Sequence, residues 1–177
     1  MILQTDRLIL RELTQTDIAD LCEILQDEQT MYAYEHAFSD EEVQCWFDNQ
    51  LARYKKYGFG LWAVIEKESQ KMIGNIGITM QPFGNEQVHE IGYLLNKKYW
   101  HKGYATEAAV ACREYAFNIL KLDKVYSIIR DSNYASQAVA FRNGMSVVGE
   151  EIKHYYNMKM PHLVYMVENK SLNKNAK

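Results

Sequence analysis

One turn in the chain combines residue types that can hold a phosphate group. The segment from Tyr99 to Ala109 contains Gly103 and Thr106 and leads from a predicted strand into a predicted helix. The first N–H groups of a helix lack partners within it, and the helix dipole is positive there, so this end attracts phosphate oxygens. Gly103 permits close backbone approach, and Thr106 adds a hydroxyl donor. The alternative is that Gly103 only begins the helix and Lys102 is a solvated charge.

Three more polar residues stand where chemistry is possible. Glu90 interrupts the apolar run from Val88 to Leu94. A carboxylate in such a strand is exposed to solvent, paired or functional, and a solvent-facing position is the alternative to a role in catalysis. Asn133 and Ser136 lie at the predicted start of a later helix. Both residue types favour helix starts, so capping is the alternative to contact with a ligand.

The elements that position these residues follow from the spacing of the apolar residues. Helices are predicted after Thr14, from Ser39 to near Gly58, from Gly103 onward and over residues 132–143. Strands are predicted over residues 2–12, 59–66, 71–81, 86–96, 125–130, 147–155 and 163–168. The aromatic segment 31–38 has no clear period and is predicted to be a loop that can line a pocket.

This order of elements predicts an α/β (α+β) fold. Short connections between the three central strands favour an antiparallel meander, and the later strand–helix–strand order adds a parallel pairing. We therefore expect a single mixed, mostly antiparallel twisted sheet of about seven strands with helices on both faces. Residues 1–168 are predicted to form one domain, and residues 169–177 a polar C-terminal tail.

Composition excludes several classes of protein. Hydrophobic residues make up 47% of the 177 residues and charged residues 24%, which is typical of a globular protein. The formal net charge of -3 argues against a nucleic-acid partner. No apolar run is long enough to span a bilayer and the N-terminus does not resemble a signal peptide, so we expect no membrane partner and a cytoplasmic location. The three cysteines are predicted to be reduced and packed in the core, and no metal site is expected.

Several motifs occur in one order along the chain. They are Thr5–Arg11, Ile73–Gly77, Glu90–Tyr93, Gly103–Ala108, Asn133–Ser136 and Arg142–Met145. In these motifs the chain resembles the GCN5-related N-acetyltransferase (GNAT) superfamily, and within it the branch of ribosomal-protein N-terminal acetyltransferases. The resemblance spans nearly the whole chain and implies a GNAT-like fold with acetyl-CoA as the acetyl donor. Gly103 and Ala105 match the family's cofactor turn, whereas Trp100 stands where Gln or Arg is usual and His101 replaces a frequent glycine.

The resemblance also implies which residues hold acetyl-CoA. The cofactor turn comprises His101, Lys102, Gly103, Tyr104, Ala105 and Thr106. The strand with Glu90 is expected to splay from its neighbour, so that its backbone near Leu94 and Leu95 pairs with the pantetheine arm and polarises the thioester carbonyl. Asn133 is implied to bond the pantetheine region, and Ser136 to lie near the thioester.

Acetyl transfer to an amine needs a base, a polarised carbonyl and a proton for the leaving thiolate. Glu90 is the predicted base, and the family branch often has Glu at this position. An α-amino group, with a pKa of about 7.7 to 8.0, is easier to deprotonate than lysine at about 10.4. Many superfamily members place a tyrosine seven residues after the position of Asn133, but the residue here is Ala140. Ser136 is therefore the predicted proton donor.

The sequence does not identify the acceptor amine. Tyr32, Tyr34 and His36 are predicted to contact the acceptor, together with Trp62 or Tyr155, and core or surface packing is the alternative for each. The leading hypothesis is a primary amine, with a protein N-terminus as a candidate. The alternatives are a small-molecule amine (antibiotic, polyamine or amino-acid-like) and a non-catalytic acyl-CoA-binding module. A polyamine would suit the acids Glu35, Asp40, Glu41 and Glu42, which otherwise mark a solvated helix start. The oligomeric state is expected to be monomer or homodimer.

Overall fold

The computed structural model describes residues 1–34, 36–155 and 158–170. Within these residues the helices are α1 (Ile18–Leu25), α2 (Asp40–Tyr57), α3 (Tyr104–Asn118) and α4 (Tyr134–Arg142). The strands are β1 (Leu3–Gln4), β2 (Leu8–Arg11), β3 (Leu61–Glu66), β4 (Met72–Phe83), β5 (Glu86–Leu95), β6 (Lys124–Arg130), β7 (Ser146–Tyr155) and β8 (Met158–Glu168). Short 3-10 turns precede α1 and follow β5.

The strands form one open sheet in the order β1-β2-β3-β4-β5-β6-β8-β7. All neighbouring strands run antiparallel except β5 and β6, which are parallel. These two strands pair only at Glu90 and Tyr126. Beyond Glu90 they diverge, and the gap between them is called the fork below. The splayed strand that the family resemblance implied is therefore present.

The mixed, mostly antiparallel sheet is confirmed, but it has eight strands rather than about seven. The additional strand arises because the predicted opening strand, residues 2–12, folds back on itself as a hairpin of β1 and β2. Thr5 closes this hairpin twice. Its N–H donates to the Leu8 carbonyl at 2.9 Å, and its hydroxyl accepts from the Leu8 N–H at 3.0 Å. A polar side chain that bonds its own backbone favours a turn over a continuous strand.

Local signals set the ends of α2. The Ser39 side chain accepts from the Glu42 N–H at 3.3 Å, while the Glu42 carboxylate accepts from the Ser39 N–H at 2.8 Å. This capping box satisfies donors that the first turn leaves unpaired. Gly58 ends the helix with a left-handed φ of +76°, a conformation that glycine adopts without a Cβ clash.

The two faces of the sheet carry different helices. On one face Trp62 of β3 contacts Tyr115 of α3, with ring centroids 5.4 Å apart. In β4, Ile76 pairs with Trp62 of β3. Because side chains alternate along a strand, Asn75 and Thr79 of β4 point to the opposite face of the sheet. On that second face α2 contributes Trp46 and Arg53 to the same cleft as Asn75 and Thr79. The sheet is therefore covered on both faces.

Two predictions about the core need correction. Trp62 is fully buried and packs in the core, so it does not form part of an acceptor pocket. Cys45 is exposed on α2, whereas Cys112 is buried and Cys22 half-buried, because the apolar face of α2 is formed by Val43, Phe47 and Tyr54 instead. The side chain of Tyr155 and all of Glu35 lie outside the described residues.

The end of the described chain is held against the sheet. The Asn169 N–H donates to the Asp123 carbonyl at 2.7 Å, so the predicted tail begins with an anchored residue. Residues 171–177 lie outside the described part. In the portion that the structure describes, no helix combines the length and apolar character needed to cross a membrane.

Candidate active site

A cleft of about 770 Å³ opens at the fork between β5 and β6. Its lining includes 13 of the residues predicted to act in catalysis or binding. They are Tyr32, Tyr34, His36, Glu90, Leu94, Leu95, His101, Gly103, Tyr104, Ala105, Thr106, Asn133 and Ser136. Of the residues predicted to bind the cofactor, the cleft leaves out Lys102, whose ammonium lies over the Tyr99 ring, 5.1 Å from its centroid. Residues far apart in sequence thus meet in one cleft.

The backbone of β5 determines which groups face the fork. The Asn96 N–H donates to the Ile73 carbonyl of the strand before, at 2.9 Å. Since bonded pairs alternate along an antiparallel ladder, Leu94 also directs its N–H towards β4, while Tyr93 and Leu95 direct theirs towards the fork. The prediction for Leu94 is therefore corrected: its side chain lines the cleft, but its backbone is turned away.

Carbonyl groups of β5 follow the same alternation. The Ile91 carbonyl accepts from the Ser127 hydroxyl at 2.8 Å, across the fork. The Leu95 carbonyl accepts from the Trp100 indole N–H, also at 2.8 Å. Trp100, which stands where the family usually has Gln or Arg, thus closes the end of the fork with its side chain.

Glu90 lies at the closed end of the fork. Its carboxylate accepts from the Ile128 N–H at 3.0 Å and from the Thr79 hydroxyl at 3.2 Å. The residue is partly exposed and lines the cleft, but its carboxylate is surrounded by protein, and this burial raises its pKa. Lys153, the Ile128 N–H and Thr79 act in the opposite direction without cancelling the effect. Glu90 is therefore not the solvent-facing strand residue of the alternative interpretation, and it is poised to accept a proton nearer neutral pH.

The turn from His101 to Thr106, called the phosphate turn below, has the geometry of an anion site. Gly103 has a left-handed φ of +82° and His101 one of +61°. The first intrahelical bond of α3 runs from the Glu107 N–H to the Gly103 carbonyl at 3.0 Å. The N–H groups of Tyr104, Ala105 and Thr106 therefore have no partner in the helix, and they lie along the cleft. The frequent glycine of the family at position 101 is explained by the left-handed backbone that His101 adopts here.

Only the backbone of Tyr104 is available to a ligand. Its hydroxyl donates to Glu66, and its ring lies under the Arg7 guanidinium, whose Cζ is 4.4 Å from the ring centroid. The side chain is buried. The cofactor contact predicted for Tyr104 is thus confined to its N–H.

A cluster that the sequence did not reveal fixes the phosphate turn to the N-terminal hairpin. Glu107, in the first turn of α3, accepts from Thr5, from the Arg7 N–H at 3.0 Å and from Arg7 Nε at 2.7 Å. Arg7 Nη1 also donates to the Lys102 carbonyl at 3.0 Å. These contacts join positions about 100 residues apart. The only indication of them in the sequence was that Arg7 and Glu107 both fall in family motifs.

Glu107→Gln is expected to destabilise the protein by about 1 kcal/mol at pH 7, because it removes the ion pair with Arg7. The loss is small because Arg7 is about half exposed, so water screens part of the attraction. Burial alone would raise the pKa of Glu107, but the bonds from Thr5 and Arg7 outweigh it and lower the pKa. The stabilisation is therefore present above the pKa of the unfolded chain and is lost as pH falls through the lower pKa of the folded state. Urea unfolding should show the difference between wild type and variant at pH 7 and its progressive loss as the pH is lowered below the ordinary glutamate value of 4.5.

The matched control for this change is Glu114→Gln, which removes an exposed ion pair with Arg113 on the same helix. It should change the stability by less than Glu107→Gln does. Equal losses of unfolding free energy in the two variants at pH 7 would show that the Glu107 cluster contributes no more to stability than an exposed ion pair does.

Asn133 caps α4, as the alternative interpretation proposed. Its Oδ1 accepts from the Ser136 N–H at 3.1 Å and from the Tyr32 hydroxyl at 2.7 Å. Tyr32 therefore reaches from the loop between α1 and α2 across to α4. Capping uses the carbonyl oxygen of Asn133 and leaves its amide N–H groups for a ligand in the cleft.

A second missed residue is Tyr93, whose hydroxyl donates to the Ser136 carbonyl at 2.7 Å. Burial raises the pKa of Tyr93, so the hydroxyl stays protonated at neutral pH. The family motif contains Tyr93, and Ala140 stands where many members have a tyrosine. Together these two facts were the available signal that the site obtains a tyrosine hydroxyl from another element.

Three of the four acids predicted as a possible polyamine site, Asp40, Glu41 and Glu42, belong to the start of α2. Glu42 takes part in the capping box and lies 2.9 Å from Nε2 of His36. Neither Glu42 nor its neighbours Asp40 and Glu41 line the cleft. In the described ranges, no three His, Cys, Asp or Glu side chains are grouped to hold a metal ion.

Comparison with known proteins agrees with this geometry. The sequence profile of the acetyltransferase (GNAT) domain matches residues 7–146. The chain is 35% identical over 144 residues to the uncharacterized protein YkkB of Bacillus subtilis (strain 168), covering 81% of this chain and 84% of YkkB. An acetyltransferase of Agrobacterium tumefaciens str. C58 has a similar structure, with a TM-score of 0.80, 29% identity and 94% of both chains covered.

The fold also matches RimL, a ribosomal L7/L12 alpha-N-protein acetyltransferase solved in complex with coenzyme A, with a TM-score of 0.77 and 17% identity. The match covers 94% of this chain and 97% of RimL. At this identity the likeness concerns the fold. The chain belongs to the GNAT acetyltransferase family and is an acyltransferase whose acetyl donor is acetyl-CoA.

Proposed function

We propose that the chain acetylates a primary α-amino group, with a protein N-terminus as the leading acceptor, and that Glu90 is the general base. The observation that carries this proposal is the position of the Glu90 carboxylate, which lines the cleft at the closed end of the fork with a raised pKa. A base works best when its pKa lies near the working pH. An α-amino group, at about 7.7 to 8.0, lies within closer reach of such a carboxylate than lysine does.

The residues present fit acetyl-CoA. Gly103 leaves open space beside the unpaired N–H groups of α3, because the atom nearest to an added Cβ would be Arg7 Nη2 at 3.5 Å. The phosphate turn is therefore suited to the pyrophosphate, and the fork-facing backbone of Tyr93 and Leu95 to the pantetheine amides. When bound, acetyl-CoA supplies an activated acetyl thioester to the cleft.

Each step of the transfer can be assigned to a group of the chain. Glu90 accepts the proton that the amine nitrogen loses as the new C–N bond forms. The N–H of Tyr93, the nearer of the two fork-facing N–H groups to Glu90, stabilises negative charge on the carbonyl oxygen. The Ser136 hydroxyl passes a proton to the sulfur as the C–S bond breaks and takes one back from solvent, while Tyr93 holds the Ser136 backbone in position.

The alternatives differ in how well they suit the cleft. Glu90 is the one acidic residue among the described residues that line it, so a polyamine or a multiply charged antibiotic would find little to neutralise its cations. An amino-acid-like acceptor has the same α-amino group as a protein N-terminus and is the second candidate. The family assignment favours an enzyme over a non-catalytic acyl-CoA-binding module. The cytoplasmic location and the monomeric or homodimeric state stay predictions from the sequence.

An acceptor panel tests the proposed function. Release of free thiol from acetyl-CoA should depend on the added amine, and α-amino compounds should react faster than lysine side-chain analogues or polyamines at the same neutral pH. Peptides with varied first residues, free amino acids, spermidine and propylamine form the panel. Thiol release that does not respond to any amine, or that is fastest with spermidine, would contradict the proposal.

A further inference from the structure

Positive charge collects at one end of the cleft. Strand β5 leads from Glu90 to Leu95 and on to the phosphate turn, so Glu90 and that turn lie at opposite ends of the fork. At the Glu90 end the cleft is lined by Arg53 of α2 and by Lys153 of β7. Both cations act electrostatically on Glu90 and lower its pKa against the effect of burial. They therefore surround the place where the acceptor amine must meet Glu90.

These cations have no acidic partner in the structure. Among the described residues, neither Arg53 nor Lys153 forms an ion pair. Arg53 only donates to the neutral Gln50 side chain of its own helix, at 3.3 Å. Both residues are half-buried.

Among the residues that line this end of the cleft, the two cations outnumber the single carboxylate of Glu90. A partly desolvated cation is costly unless a negative charge compensates it, and complementary charge is what proteins use to select a partner. The phosphates of acetyl-CoA cannot supply that charge here, because their site is the phosphate turn at the other end of the fork. The compensating group must come from the acceptor.

We propose that the acceptor carries a negatively charged group close to its amine, and that Arg53 and Lys153 bind this group while the amine faces Glu90. The inference rests on the proposed function and narrows it to anionic acceptors. The charge can be the carboxylate of a free amino acid or an acidic side chain next to a peptide N-terminus. Both present the same chemistry, a carboxylate beside an α-amino group.

Matched acceptors separate the two sources. Alanine and alaninamide differ in the α-carboxylate, and the amidated peptides Ser-Glu-Glu, Ser-Gln-Gln and Ser-Lys-Lys differ in side-chain charge. The value of kcat/KM should be about 10- to 100-fold higher for the anionic member of at least one set, because a bond to a charged group contributes about 1.5 to 3 kcal/mol. A preference for alanine identifies a free amino acid as the acceptor, and a preference for Ser-Glu-Glu identifies an acidic peptide.

Arg53→Gln and Lys153→Gln should each reduce this preference about tenfold, mainly for the anionic acceptor. The control variants are Lys55→Gln, on the same helix as Arg53, and Lys159→Gln, on the strand paired with β7. Both remove one exposed positive charge outside the cleft. They should leave the ratio between anionic and neutral acceptors unchanged.

A binding measurement makes the test independent of turnover. The acetylated products N-acetylalanine and acetyl-Ser-Glu-Glu amide should raise the melting temperature in the presence of CoA more than N-acetylalaninamide and acetyl-Ser-Gln-Gln amide do. Arg53→Gln and Lys153→Gln should abolish that difference. Equal or stronger binding and turnover of the neutral or basic members would overturn the inference. If amines are acetylated without charge preference, only this inference fails, whereas absence of any acetylation removes the proposed function.

Discussion

Glu90→Gln is expected to lower kcat by about 10² to 10⁴, the usual contribution of a general base, while acetyl-CoA affinity stays close to that of wild type. The amide keeps the shape of the side chain and can still accept from the Ile128 N–H, which holds the two sides of the fork together. Its nitrogen can donate to the Thr79 hydroxyl where the carboxylate now accepts. The fork should therefore keep its geometry, and the loss should appear in turnover.

The pH dependence separates catalysis from folding. Because burial raises the pKa of Glu90, wild-type kcat should increase with pH through a value above the ordinary 4.5 of a glutamate. Glu90→Gln should lack this limb and should be partly rescued at high pH, where more acceptor amine is already neutral. The pH profiles of wild type and Glu90→Gln are read from kcat measured on a verified acceptor, with chemistry shown to be rate-limiting.

Thr79→Val is the matched control for Glu90→Gln. Its hydroxyl is one of the groups that lower the pKa of Glu90, so its removal should raise that pKa and shift the acidic limb to higher pH. The carboxylate remains, and activity should therefore recover once the pH exceeds the new pKa. If Glu90→Gln keeps wild-type turnover across the pH profile, Glu90 only fastens the fork, and the amine loses its proton to solvent or to another group.

Gly103→Asp is expected to abolish the stabilisation that CoA or acetyl-CoA gives to the folded protein. Saturating ligand at 100 times Kd stabilises by about 2.7 kcal/mol. An aspartate places a negative charge where the pyrophosphate must approach the N–H groups of α3. It also forces a left-handed φ of +82° on a residue with a Cβ, at a cost of about 1 to 2 kcal/mol. The measurement is the ligand-induced shift in melting temperature.

Two variants separate charge from strain. Gly84→Asp imposes a similar left-handed strain, at φ +59°, in the hairpin between β4 and β5, where an added Cβ meets nothing within 4 Å. It should lower the melting temperature but keep the full response to CoA. Gly103→Ala adds a Cβ without charge and should lose only part of the response. An unchanged CoA shift in a folded Gly103→Asp variant would remove the phosphate turn from the cofactor site.

Much of the fold was predictable because its signals are local. The capping box of Ser39 and Glu42 and the left-handed Gly58 lie within a few residues of the helix ends that they determine. The hairpin of β1 and β2 was missed because its signal is the single hydroxyl of Thr5, in a run whose hydrophobic pattern reads as one strand. A side-chain bond to the backbone leaves no periodic pattern in the sequence.

The candidate site was predictable in its parts and not in its detail. The phosphate turn and Glu90 follow from residue type and family motifs. That Leu94 turns its backbone away from the fork depends on the register of β5 against β4, which only the three-dimensional pairing determines. The cluster of Arg7 with Glu107 joins residues about 100 positions apart, and Arg53 and Lys153, equally distant in sequence, line one cleft. No local pattern in the sequence reports such an arrangement.

The central claim, that the cleft transfers an acetyl group to an amine with Glu90 as base, is tested most directly by product stoichiometry. Wild-type protein, acetyl-CoA and an α-amino acceptor are mixed, and free thiol and acetylated amine are quantified together by absorbance and mass spectrometry. The account predicts one acetylated amine for each free thiol, with both slowed equally by Glu90→Gln. Thiol release without acetylated amine, or equal product formation by wild type and Glu90→Gln, would contradict it.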